Sequence, residues 1–302
     1  MRESANGAEP TQMDKLKAAS YSIYVNVFLT AAKLAVGLLT GSIGIFAEFL
    51  HSLFDLIASG FAYIGIYKAS QPPDSTHPYG HEKFENLSSL LQTVLIFITA
   101  LWVAYEAVMR LYNPQPVESS ELGIVVMAIA LAADWFIAKF LHDVSRKEGS
   151  VALEADAYHF TSDLWSTTAV ILGLVCANMG FPQGDSIGAL IVAAFMVRLS
   201  YNLGMKALGV LLDKGATDSE IEAIAAILAK ETQIKGYHKL RTRHMGSRLV
   251  IDMHILVEDN LTLSKAHAIA HKIEGRITQQ VPGVKDVTIH VEPFAEEVGK
   301  KE

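Results

Sequence analysis

Cysteine is almost absent: one residue, Cys176, in a chain of 302, which rules out an internal disulfide. Charge is scarce as well, at 19% of residues, where ordinary soluble domains carry about 25%. Hydrophobic residues make up 51%, and the mean hydropathy is +0.28. This balance excludes a disordered chain and a disulfide-stapled secreted fold. There is no basic excess; the net charge of -7 excludes a strongly basic nucleic-acid binder, so no nucleic-acid partner is expected. Nor is there a His-Glu-x-x-His sequence, the helical signature of a zinc protease. The first 17 residues are polar and lack the basic-then-apolar pattern of a cleaved signal peptide.

What is present divides in two. Residues 1–212 hold 12 of the 25 Lys and Arg and 18 of the 32 Asp and Glu, so charge density roughly doubles in the remaining third. The first part contains apolar stretches long enough for a bilayer core. Six spans are expected, near 18–39, 43–67, 86–110, 122–141, 151–179 and 186–212. The division is then a cytoplasmic segment 1–17, a six-helix transmembrane domain 18–212, a cytoplasmic α+β domain 213–295 and a tail 296–302. An even number of spans puts both termini on one side. Arg2, Lys15, Lys17, Lys68, Lys83, Arg146 and Lys147 fall in the N-terminal segment and the 68–85 and 142–150 loops, which makes that side cytoplasmic. Lys33, inside the first span, is expected to snorkel outward.

Ionisable side chains in a membrane span are costly, and each needs a partner or a task. The second and fifth spans repeat one pattern: an acid, then His three residues on, then Asp four further. The residues are Glu48, His51 and Asp55, and Asp156, His159 and Asp163. Offsets of three and four share a helix face, so two such helices packed together would present His51, Asp55, His159 and Asp163 to one point. Two imidazoles and two carboxylates suit a tetrahedral divalent cation, Zn²⁺ above all, and the lack of thiolate argues against Cu⁺. Glu48 and Asp156, one turn away, read as vestibule or supporting groups. Asp134 and Asn26 read as interhelical hydrogen-bonding residues. Cys176 lies about 20 Å along the helix from Asp163 and cannot share its site.

In the 68–85 loop, Asp74, His77 and His81 fall within eight residues and could bind a second metal. Beyond Asp213 the chain reads as short elements. Thr217 and Glu220 form a capping box before a helix of about 12 residues. Strands follow at 235–244 and 248–258 around a Gly246-Ser247 turn, then a helix at 264–280 and a last strand at 284–293. The order helix, strand, strand, helix, strand predicts two helices on one face of a small sheet. His238, His254, His267, His290 and Glu292 are candidate ligands there. Period-two alternation places His290 with Glu292, and His238 with His244.

These motifs resemble the cation diffusion facilitator family, especially its bacterial zinc/proton antiporters. The resemblance runs from the first span to Pro293. It rests on His51-Ser52-Leu53-Phe54-Asp55, on His77 to Glu85 (HPYGHEKFE), on His159 to Asp163, and on Gly283 to Pro293 with its ending Ile289-His290-Val291-Glu292-Pro293. It implies six spans followed by a metallochaperone-like cytoplasmic domain. It further implies transport ligands at His51, Asp55, His159 and Asp163, a loop site at Asp74, His77 and His81, and a site of His238, His254, His267, His290 and Glu292 bridging two protomers. Lys83 and Asp213 resemble a charge pair between the domains. His51 replaces the Asp of many bacterial members and implies stricter preference for zinc over cadmium, while Glu292 stands where their zinc pattern has Asp.

The expected activity is therefore Zn²⁺ efflux from the cytoplasm against entering H⁺, with no enzymatic chemistry, by a homodimer in a bacterial inner membrane. Fe²⁺, Mn²⁺ or Co²⁺ as cargo, or a membrane metal sensor without net transport, are the alternatives.

Overall fold

The computed structural model of the chain describes residues 10–40, 43–112, 121–178 and 184–295. It divides into two units, one ending at Leu208 and the other beginning at Gly209. The side chains of Glu48, His51 and Cys176, and the tail 296–302, lie outside the described residues.

Six long helices build the first unit: α1 (Pro10–Thr40), α2 (Ile43–Ala69), α3 (Lys83–Tyr112), α4 (Glu121–Glu148), α5 (Val151–Asn178) and α6 (Gly184–Leu211). The shortest has 27 residues, about 40 Å at 1.5 Å per residue and longer than a bilayer core of about 30 Å. Among the described residues, α1, α3 and α6 are apolar enough by composition to cross a membrane. The acids Asp55, Asp134, Asp156 and Asp163 sit on the other three. Bulky apolar side chains such as Phe28, Ile64, Trp102 and Phe136 face outward, as a lipid-bathed surface requires. Small residues line the interior, with Ala18, Ala19, Ala138, Ala152 and Ala157 packed around Leu141, Leu153 and Phe160, so that backbones approach closely. At Gly65 of α2 the approach is so close that a Cβ would lie 2.0 Å from Ser88 Oγ of α3.

Helix ends depart from expectation where polar residues extend a span. α4 runs on to Glu148, putting Arg146 and Lys147 in its last turn and leaving a two-residue connection. Gly149, at φ 62°, ends it, and Ser150 Oγ accepts from the Leu153 amide to open α5. α1 begins at Pro10, eight residues before the expected span. This extension buries Lys15, which pairs with Glu85 of α3 at 3.3 Å rather than acting as a free loop charge. Lys33 does not snorkel outward: it is buried, and its Nζ donates to Ser52 Oγ of α2 at 2.7 Å.

In the second unit, α7 (Asp218–Ala229) and α8 (Leu263–Gln280) accompany β1 (Gly236–Met245), β2 (Arg248–Val257) and β3 (Val284–Pro293). The sheet order is β1-β2-β3, with β1 antiparallel and β3 parallel to β2. Thr217 caps α7 in a complete capping box with Glu220. Leu249, Ile251, Met253, Ile255 and Val257 alternate along β2 and form the core with Ile224 and Leu228 of α7 and Ile269, Ile273 and Ile277 of α8. The even-numbered residues of β2, including His254, therefore face away from the helices. One irregularity matters for function. A bulge lies between His238 and Arg241 of β1, with Lys239 at φ 49°.

Candidate metal centres

The first cluster lies inside the helical unit. Asp55 on α2 and His159 and Asp163 on α5 bring one ligand atom each within 4.8 Å of one another. His159 Nε2 is 2.9 Å from Asp55 Oδ1 and 3.8 Å from Asp163 Oδ2. Neither contact has the direction of a hydrogen bond from Nε2, which has no such partner among the described residues. Two carboxylates and a ring nitrogen thus converge on one point without closing on each other, as ligands of a shared cation do. His51 stands one turn before Asp55 on α2, on the same face by spacing; its side chain is outside the described residues.

Asp156 is a supporting group one turn away, but it is fully buried rather than in a vestibule. Its Oδ1 accepts from Ser59 Oγ at 2.8 Å, and Ser59 in turn accepts from Ser22 Oγ and Asn26 Nδ2, each at 2.8 Å. This tier ties α1, α2 and α5 together directly beside the cluster. The expected interhelical role of Asn26 is met here. Ser22 and Ser59 went unnoticed in the sequence because serine is common in helices. Their only signal was position: Ser59 lies four residues after Asp55, and Ser22 four before Asn26. Asp134 is also buried, and it feels the charges of Asp163, Lys33, Asp55 and His159.

The second cluster is the loop trio Asp74, His77 and His81. Asp74 Oδ1 accepts from Thr76 Oγ1 at 2.7 Å, from the His77 amide at 2.7 Å and from the Thr76 amide at 2.8 Å. These bonds, the Thr76 hydroxyl first, hold its carboxyl well below the usual carboxylate range. The buried His81 directs Nδ1 at the Pro72 carbonyl, 3.1 Å away, which only a protonated Nδ1 can satisfy. Its Nε2 is thereby left as an acceptor in the neutral ring, 3.3 Å from the other Asp74 oxygen. Two acceptors facing each other want a cation between them. The Pro72 carbonyl is the kind of outer partner that orients a metal-binding histidine.

The third cluster forms on the sheet face away from the helices. Register alone aligns three imidazoles, since His238 pairs with His254 and His254 with His290. Glu292 joins them: its two oxygens lie 2.9 Å from His238 Nε2 and 2.7 Å from His254 Nδ1, and these bonds, that from His254 first, lower its pKa. His290 Nε2 is 3.6 Å from the same carboxylate, and its ring sits 4.6 Å from that of His254. Within one chain His267 stands apart from the group, on α8 with its ring 4.4 Å from that of His271. His244 does not join it either. The extra residue at the bulge reverses side-chain parity along β1, and His244 turns to Glu220 of α7 at 3.7 Å.

A family description of a cation efflux transmembrane domain matches residues 19–212, and one of the cytoplasmic domain of cation efflux proteins matches residues 216–294. The chain is 34% identical over 277 residues to the cation-efflux pump FieF of Cronobacter sakazakii, covering 92% of each chain. It is 33% identical to that of Yersinia enterocolitica, covering 95% of this chain and 96% of that one. Among solved structures, the metal-bound C-terminal domain of the CzcD transporter from Thermotoga maritima is 29% identical, with 26% of this chain and 95% of that chain covered and a TM-score of 0.25.

Proposed function

The chain belongs to the cation diffusion facilitator family of divalent-cation efflux transporters, and on that footing we propose that its cargo is Zn²⁺, moved by alternating access in exchange for H⁺. The observation that carries this reading is the buried convergence of His159 with Asp55 and Asp163 inside the helical unit. An N/O donor set of that size suits zinc, and His51 is the fourth ligand. Binding needs a neutral imidazole and ionised carboxylates, so an arriving cation displaces protons and arriving protons displace the cation. Histidine, with an ordinary pKa of about 6.5, exchanges its proton near neutral pH.

The loop trio and the sheet cluster are cytoplasmic in this reading, with both termini on that side of a bacterial inner membrane. The sheet cluster regulates a homodimer, in which His267 completes the site. Dimer populations that rise with zinc and fall with chelator support this role, and equal populations overturn it.

The test of transport is uptake of labelled zinc into inverted vesicles under an imposed pH gradient. Uptake that collapses with the gradient is expected; unchanged uptake overturns proton coupling. A panel of Zn²⁺, Fe²⁺, Mn²⁺ and Co²⁺ in the same vesicles decides the cargo. Loss of all metal flux, with metal binding intact, would make the protein a sensor.

A further inference from the structure

We infer that the buried face of α3 lines a hydrated, cation-selective cleft running from the loop end of the helix to the level of the Asp156–Ser59–Asn26 tier. It needs only the efflux function of the family, not the zinc or proton assignments.

A helix buried in a membrane bundle normally turns its apolar face inward or packs through small residues. α3 does so only in its second half, at Ile96, Ala100 and Ala107. Over its first turns the buried residues are Glu85, Asn86, Ser88, Ser89, Gln92 and Thr93, and every one is polar. Serine and threonine hydroxyls can satisfy themselves on nearby carbonyls, and Ser88, Ser89 and Thr93 do so. Glu85, Asn86 and Gln92 are not completed in this way, although Gln92 Nε2 donates to the Ser88 carbonyl at 3.4 Å and Glu85 Oε2 accepts from Lys15. Glu85 Oε1, both side-chain atoms of Asn86 and Gln92 Oε1 are buried without a hydrogen-bonding partner among the described residues. Each carries a desolvation penalty that a water molecule or a hydrated cation removes.

Position says where the cleft leads. Gly65 of α2 abuts Ser88, and Ser89 Oγ donates to the Val151 carbonyl at the start of α5. Ser59 lies six residues along α2 from Gly65, and Asp156 five along α5 from Val151, about 8 to 9 Å at the helical rise. Gln92 and Thr93, about 6 Å along α3 from the same contacts, come to nearly that level. There Asp156 Oδ2 is a further buried oxygen without a partner. Asp55 and His159 stand about one turn beyond the tier, so the polar stretch ends where the metal cluster begins. Chemistry says what passes. Of the five unpartnered atoms, four are acceptor oxygens and only Asn86 Nδ2 is a donor. Such a lining takes donors, namely water and hydrated cations, and disfavours anions. Lys15, 3.3 Å from Glu85 Oε2 at the loop end, balances the one carboxylate of the α3 stretch without occupying its second oxygen.

The experiment uses the full chain in vesicles with Cys176→Ser as background and single cysteines in place of Ser89, Gln92, Ile96 or Leu91. Cationic and anionic methanethiosulfonates are added from the loop side. Cysteines at 89 and 92 are expected to react with the cationic reagent at least about tenfold faster than those at 96, deeper on the same face, and 91, on the outward face, and faster than with the anionic one. Rates at 89 and 92 no higher than at 96, or faster anionic reaction, overturn the inference. Should a cysteine variant fold poorly, flux decides: Gln92→Leu lowers it about tenfold while Gln92→Glu stays within about threefold of wild type. Equal flux from these two variants overturns it as well. Labelling is independent of which ions are exchanged, so a failed zinc or proton assignment leaves this test intact.

Discussion

The cluster between α2 and α5 and the cluster on the sheet use the same chemistry, imidazole and carboxylate, in opposite settings. The first is buried among helices and its members lie three or four residues apart, or on the matching face of one other helix. The second is half-exposed and draws on three strands over more than 50 residues of chain. A buried ligand set carries its charges at high cost and exists for its ion. A half-exposed one is cheap to keep and suits a role in which metal comes and goes. The two should therefore fail differently.

The sharpest break is expected from Asp163→Asn set against Glu292→Gln. Losing a carboxylate ligand that meets the buried His159 and Asp55 lowers metal flux at least about 100-fold. Losing the sheet carboxylate leaves flux within about fivefold and removes metal binding by the second unit. Vesicle flux, with calorimetric metal titration of both variants, checks the pair. Equal flux losses would erase the distinction.

Deleting Lys239 comes next. The bulge separates His238, on the face of His254, from His244, which meets α7. Without the extra residue, Leu240 pairs with Met253 and the ladder becomes regular, so His238 stays opposite His254 and His244 stays on the helix side. Metal affinity of the sheet cluster then stays within about threefold of wild type, as it does in Lys239→Gly, which tolerates the positive φ. A metal titration of the two variants against wild type decides; a loss of about tenfold or more in the deletion alone would show that the bulged backbone, and not the strand register, sets the ligand.

These two residues also show what could be read in advance. Asp163 was legible because helical spacing is local: an acid four residues from His159 shares its face whatever the tertiary packing. The capping box at Thr217 and the turn at Gly246-Ser247 were legible for the same reason. The sheet cluster was legible only through the family resemblance, because no spacing reveals that β3 runs parallel to β2 and sets His290 beside His254. His244 was misplaced because a bulge is an insertion that strict alternation cannot foresee. Lys33 and Lys15 were misjudged because a basic residue near a span is ordinarily anchored in water, and here Ser52 and Glu85 supply buried partners instead. Asp156 was seen as a supporting group, but the serines that hold it were invisible until α1, α2 and α5 were packed.

A smaller effect than that of Asp163→Asn is expected from His51→Asp, which swaps a borderline nitrogen donor in the membrane cluster for an oxygen. The ratio of Zn²⁺ to Cd²⁺ flux should fall about five- to tenfold with total flux retained, since the variant restores the Asp that many bacterial members of the family carry here; donor softness alone would act the other way. The same exchange at His254 in the sheet cluster should leave that ratio untouched. An unchanged ratio in the first variant removes His51 from selectivity.

The smallest effect concerns acid. Glu292 is lowered by its bonds from His254 and His238, so its ionised form stabilises the folded sheet. The sign follows from linkage: a carboxyl lowered by folding contributes fully above its unfolded pKa of about 4.3, and the contribution disappears as pH falls through the lower folded value. Stability of the second unit should thus decline between about pH 4.3 and that folded value more steeply in wild type than in Glu292→Gln, which has nothing to protonate there. The group is partly exposed to solvent and so screened, which keeps the difference small. Melting of the full chain, followed by a probe in the second unit at pH 5 and pH 3, measures it. Parallel curves would mean that the carboxylate meets the two imidazoles only as ligands of a common metal, bringing the sheet cluster closer in character to the buried one.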